Sequence, residues 1–199
     1  MRIPIPDRVI IAAKEYAEKS HGFTHDHAGW EDKKSKAWRL LFGKVAELCI
    51  IDFLKLNEKN IIEDTSDYTQ NDSFDFVFKL KKYDVKTSYT KGIPICITRT
   101  YEGKDINFFI GTRIDFDLKY VEILGVIESE KVISQTYYVE HNDQIAETKY
   151  NCTFMHGAYF FTGTYNNFFE HFEFDNESMS MPAEYFRRLW IAEKEKQIA

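Results

Sequence analysis

Between Pro6 and Ser20 apolar residues recur at helical spacing, with Val9, Ile10, Ala13, Tyr16 and Ala17 on one stripe, and this predicts a helix. Pro6 and Asp7 stand where a first turn tolerates proline and welcomes an acid. The stretch from His21 to Trp30 has two glycines and no period, so it reads as a connecting loop. A second helix is predicted from about Ser35 to Leu56, where Trp38, Leu41, Phe42, Val45, Cys49, Phe53 and Leu56 repeat every three or four residues. Its opposite side is apolar too, at Leu40, Ile50, Ile51 and Leu54, so this helix should be buried on both sides, between a sheet and another element.

After Asn60 the period changes from helical to alternating. Phe74, Phe76, Phe78 and Leu80 fall on one face and Asp75, Val77 and Lys79 on the other. From Tyr83 to Tyr89 the odd positions carry Tyr83, Val85 and Thr87, and the even positions carry Asp84, Lys86 and Ser88. Two strands joined by a turn near Leu80 and Lys81 follow. Further strands are predicted at Ile93 to Thr100, Ile106 to Thr112 and Tyr120 to Ile127, the last two apolar enough to be central in a sheet. The aromatic-rich stretch from Lys131 to Asp175 suggests short strands and loops. Ser180 to Glu184 carries a helix-start signal, with Tyr185, Phe186, Leu189 and Trp190 as the apolar stripe after it. The expectation is an α/β chain in which a mixed central sheet is flanked by helices. It forms one domain over residues 1–199, with a core at about 35–130 and an aromatic-rich C-terminal extension at 131–199.

Composition narrows this picture. The 199 residues are 44% hydrophobic and 16% aromatic, enough to fill the core of a single domain. Lys and Arg total 26 against 32 Asp and Glu, a formal charge of −6, which excludes a chain-wide polyanion binder and leaves room for a local basic patch. No apolar run approaches the roughly 20 residues of a membrane span. The start shows no secretory h-region, and Cys49, Cys96 and Cys152 are odd in number and widely spaced. Buried thiols in a reducing cytoplasm are expected, with no membrane association.

The chemistry concentrates at the hairpin. Pairing about a turn at Leu80 and Lys81 would set Asp75 opposite Lys86, with Asp84 its diagonal neighbour on the same face at roughly 7–8 Å. Two carboxylates and the backbone carbonyl of Val85 can then serve a hard cation such as Mg²⁺, which takes oxygen ligands and keeps several waters. Lys86 would hold or help deprotonate the attacking water and offset charge building on phosphorus. Glu47 lies in the doubly apolar helix, with Leu40 and Gly43 before it and Ile50, Ile51 and Leu54 after it. A carboxylate so placed needs a partner: a metal site, or an ion pair with Lys44 or Arg39. Gly43, one turn earlier, would let the helix approach the sheet or a phosphate. Asp84 and Lys86 also fit the solvated face of an edge hairpin. The loop histidines His21, His25 and His27 could ligate a metal but lack cysteines beside them. With Trp30, the cations Lys33, Lys34, Lys36 and Arg39 could contact DNA, or form a solvated helix start.

Glu47 on a helix, Asp75 at a strand start and Asp84-Val85-Lys86 on the next strand resemble the PD-(D/E)xK nuclease superfamily, which includes type II restriction endonucleases and many repair nucleases. The resemblance covers about Ser35 to Thr87, with Tyr120 to Glu128 similar to a later core strand, and Phe74 stands where the family often has proline. It implies a restriction-endonuclease-like core, metal binding by Asp75 and Asp84, water positioning by Lys86 and assistance from Glu47. The expected activity is Mg²⁺-dependent hydrolysis of DNA, with Mn²⁺ able to substitute, by a restriction or defence endonuclease acting on double-stranded DNA as a homodimer. A repair exonuclease or junction resolvase is the alternative within the fold. A non-catalytic nucleic-acid-binding or assembly subunit is the alternative of another class.

Overall fold

The computed structural model describes residues 2–22, 33–57, 59–64, 74–88, 95–98, 105–132, 137–139, 158–161 and 165–174. Helix α1 (Asp7–Ser20) follows Pro6, which holds extended backbone at the N-cap, and buries Val9, Ala13, Ala17 and Ser20. Helix α2 (Lys33–Leu56) packs against α1 on one side and the sheet on the other. Phe42, Val45, Ala46, Cys49, Ile50, Ile51, Phe53 and Leu54 are all buried, as its doubly apolar pattern requires. Cys49 is the buried thiol expected there, and burial pushes its pKa up.

Strands β1 (Arg2–Pro4), β2 (Ile61–Glu63), β3 (Phe76–Phe78), β4 (Lys81–Ser88), β6 (Phe108–Ile114) and β7 (Tyr120–Glu128) form a mixed six-stranded sheet in the order β1-β7-β6-β4-β3-β2. The fold is α/β. Strands β2, β3 and β4 make an antiparallel meander, β6 lies parallel to β4, and β7 returns antiparallel beside β6. The two apolar strands β6 and β7 are internal, as expected. Strand β5 (Ile95–Thr98) leaves this sheet and pairs with β9 (Ala158–Phe161), which also pairs with β8 (Tyr137–Val139), giving a second, three-stranded sheet. Helix α3 (Tyr165–His171) stands where strands and loops were expected, and it is docked on β7. The Asn167 amide explains the docking: its Oδ1 accepts the Val126 N–H at 2.8 Å and its Nδ2 donates to the Val126 carbonyl at 2.5 Å. One side chain thus satisfies both backbone groups of a strand residue. The aromatic run feeds the core, since Phe168, Phe169 and Phe172 are buried. The C-terminal helix signal after Ser180, Cys152, and the loop residues His25, His27 and Trp30 lie outside the described residues.

The β3–β4 turn corrects the expected hairpin. It falls at Lys79 and Leu80, both with positive φ (49° and 62°), one residue earlier than predicted. Leu80 is 92% exposed instead of lying with the phenylalanines. A two-residue turn of this hand normally takes Asn-Gly, and each bulky residue in the left-handed region costs roughly 1–2 kcal/mol. Aromatic packing offsets that cost: Phe76 stacks on Tyr83 with centroids 4.9 Å apart, and Phe172 covers both. The Tyr83 hydroxyl lies 2.7 Å from His171 Nε2, and the imidazole packs edge-on against Phe108 at 4.4 Å.

Two stability measurements check this account. Replacing Lys79 by Asn and Leu80 by Gly together should raise unfolding stability by about 1 kcal/mol in urea titrations; a loss would show that the turn is not strained. Burial holds His171 below its ordinary value of 6.5, outweighing the opposing charges of Glu128 and Glu173. The unfolded chain therefore takes up this proton first, and stability is lost as pH falls from about 6.5 through the lowered value. The His171→Gln variant should show a flatter stability profile between about pH 7.5 and about pH 5.5 than wild type, and an unchanged slope would rule the histidine out as its source.

Candidate functional site

Asp75 immediately precedes β3. Its N–H donates to the Tyr83 carbonyl at 2.8 Å, although Tyr83 faces Phe76 in the ladder, so the chain departs from register at this residue. Its own carbonyl accepts the Asp64 N–H at 3.0 Å. Its Oδ2 accepts the Val85 N–H at 2.6 Å, so the carboxylate takes the place of the next rung. A strand residue points its N–H and C=O to the same side, and the Val85 carbonyl is therefore directed toward Asp75. The expected pairing of Asp75 with Lys86 does not occur. The ladder pairs Phe76 with Tyr83, Val77 with Lys82 and Phe78 with Lys81, and it stops short of Asp75. Lys86 instead reaches along its own strand, with Nζ 2.5 Å from Asp84 Oδ2. The shared face of Asp84 and Lys86 holds.

Glu47 enters from α2. Lys44 Nζ lies 2.7 Å from both of its carboxylate oxygens and 4.0 Å from the centroid of the Tyr16 ring, so the ion pair with Lys44 exists. It does not exclude Glu47 from the site, because Glu47 also acts on Asp75. Burial, then the charges of Glu47 and Asp84, hold the Asp75 pKa well above its ordinary value, against Lys86 and the Val85 N–H. Burial works against the Lys86 ammonium, yet Asp84, Asp75 and Glu47 together raise its pKa. Lys44 is likewise opposed by burial and raised chiefly by Glu47, with Asp75 among the smaller contributors. Three carboxylates and two ammonium groups therefore form one electrostatic unit with a formal charge of 2 − 3 = −1. Gly43 does not serve a close approach to the sheet: a Cβ there would meet nothing within 4 Å, and the space one turn before Glu47 is open.

The donor set suits a hard cation that keeps its waters. Asp75 Oδ1 accepts no hydrogen bond from a described residue, and Asp84 is buried with one lysine beside it. Among the described residues no group of three or more His, Cys, Asp or Glu side chains makes a ready cage. A cation there would be held by one or two carboxylates and its own waters, as Mg²⁺ commonly is, and not by an all-protein site.

The proposed DNA cations fare differently. Lys36 is 8% exposed, so its side chain is not presented on the surface as a phosphate contact would require. Arg39 is half-buried, and Lys33 and Lys34 belong to the first turn of α2. His21 lines a cleft of about 350 Å³ between α1 and α2, together with Lys14, Glu18 and Leu41, away from the carboxylates. Two features escaped the sequence argument: the Val85 N–H as the anchor of Asp75, and Arg113 on β6. The second had a visible signal, a lone charge in the apolar run Phe108 to Ile114.

No family model, no curated protein and no solved structure matches the chain, so a functional reading rests on its own residues. Because Asp75 is half-buried, desolvated and repelled by two carboxylates, Asp75→Asn should raise the melting temperature of the metal-free protein in EDTA by several degrees. A lower melting temperature would mean that the Val85 N–H contact outweighs the repulsion.

Proposed function

We propose that the chain is a Mg²⁺-dependent endonuclease of the PD-(D/E)xK kind, with a restriction-endonuclease-like core, acting on double-stranded DNA as a homodimer. The observation that carries this reading is the electrostatic unit of Glu47, Asp75, Asp84 and Lys86 at the end of the β3–β4 hairpin. The element order supports it: a helix bearing the Glu, a meander bearing the other three, and a strand parallel to β4. Asp75, Asp84 and the Val85 carbonyl would hold the cation, with Glu47 behind them. The chemistry supplied by a Mg²⁺ held there would be polarisation of the phosphoryl oxygen and acidification of a water, and Mn²⁺ would supply the same.

The chain's own groups do the rest. Lys86 acts as a donor and not as a base, because three carboxylates raise its affinity for its proton. Its ammonium orients the attacking water and offsets the negative charge that gathers on the phosphoryl oxygens. The water oxygen forms the new bond to phosphorus as the bond to one ester oxygen breaks; the water gives up a proton to solvent, and the departing oxygen takes a proton from solvent and leaves as a hydroxyl. A homodimer supplies one such site per strand through a two-fold axis.

Digestion of supercoiled plasmid in Mg²⁺ and in EDTA tests the reading, with linear and branched DNA beside it. Wild type should cut in Mg²⁺ only, and Asp84→Ala and Lys86→Ala should each lose about a hundredfold or more in rate. Both variants should still bind duplex in Ca²⁺, since phosphate contacts supply most of the affinity. Wild-type rates in purified Asp84→Ala would overturn the assignment.

A further inference from the structure

The sheet face of Lys86 carries a second cation that the chemistry above does not employ. Strands β4 and β6 run parallel with Lys86 against Gly111 and Ser88 against Arg113, and directly paired residues project to the same face. Arg113 therefore stands on the face of Asp84 and Lys86, one same-face rung farther along, at a diagonal backbone spacing of about 7–8 Å from Lys86. Because its direct neighbour is Gly111, β6 sets no side chain beside the Lys86 ammonium.

The bonding of Arg113 is incomplete. Its NH1 lies 3.4 Å from Glu122 Oε2, and the same carboxylate is 3.9 Å from Arg2 Nε, so two guanidinium groups share one acceptor at long range. An arginine fully engaged by a carboxylate makes paired bonds of about 2.7–2.9 Å. Arg113 Nε is buried and has no hydrogen-bond partner among the described residues, a state rare for a polar group. The local balance of Arg2, Arg113 and Glu122 is 2 − 1 = +1, next to a lysine whose charge is already met by Asp84. The planar fork of a guanidinium matches two non-bridging phosphate oxygens, which a lysine meets only as a point charge.

We propose that Arg113 binds a backbone phosphate of the DNA next to the one addressed by Lys86, and so sets how the strand lies across the site. The ligand rests on the nuclease reading; the residue lies outside the motif that suggested it. Two same-face rungs along a strand are separated by about 6.6–6.8 Å, comparable to successive phosphates on one DNA strand.

Fluorescence anisotropy of a labelled DNA duplex in Ca²⁺ over a NaCl series tests this with the full chain. Arg113→Gln should weaken binding about tenfold or more and flatten the slope of log K against log salt by about 0.9, one phosphate contact. Arg113→Lys, which keeps the charge facing Glu122, should keep the slope and still lose severalfold in affinity. Lys131→Gln, at an exposed cation paired with Glu128, should match wild type. Folded Arg113→Gln with wild-type affinity and slope overturns the proposal, as does wild-type affinity in Arg113→Lys for the paired geometry. A wild type that binds duplex through Arg113 yet cuts nothing in Mg²⁺ overturns the nuclease reading and upholds the anchor. A wild type with no affinity for the duplex overturns the anchor itself.

Discussion

The Asp75 carboxylate is fixed by one backbone N–H just before β3 begins, in a half-buried place where two other carboxylates oppose its charge. That tension organises the surroundings. The Val85 N–H and the Lys86 ammonium are the favourable contacts, and Glu47, Asp84 and burial are the unfavourable ones. Removing a carboxylate from water costs several kcal/mol unless partners compensate. Here compensation is partial, which is the condition under which a divalent cation gains most by binding. A buried site that held only ion pairs would have no such deficit.

The rest of the fold supplies rigidity to that point. Helix α2 is clamped between α1 and the sheet, so Glu47 cannot retreat to solvent without unpacking Phe42, Val45 and Ile50. Strand β4 is held on both sides, by β3 and by the parallel β6. On its opposite face Tyr83 is locked between Phe76, Phe108 and Phe172. The same residue offers its carbonyl to the Asp75 N–H, so aromatic packing on one face fixes backbone geometry that serves carboxylates on the other. The strained Lys79-Leu80 turn is tolerated because this packing dictates the register.

Much of this was legible in the residues, for identifiable reasons. Period-two alternation put Asp84 and Lys86 on one face, and a doubly apolar helix announced a buried α2 with Glu47 inside it. The register was not legible, because a turn of this hand is signalled by Asn or Gly and here is made by Lys and Leu, so Leu80 counted with the phenylalanines. Helix α3 was hidden because its apolar residues are aromatics of middling helix propensity and its seat is set by bonds from Asn167 to Val126 on a distant strand. Strands β1 and β2 are three residues each, too short to show a period. Lys36 looked like a surface cation because sequence gives a charge without its burial.

The central claim is that the cluster of Glu47, Asp75 and Asp84 is short of positive charge in a way a divalent ion satisfies. Thermal melts of the full chain with MgCl₂ titrated against NaCl of equal ionic strength measure this most directly. The account predicts a saturable rise specific to Mg²⁺, worth about 2.7 kcal/mol at a hundred times the dissociation constant. A Mg²⁺ response no larger than that of matched NaCl would contradict it.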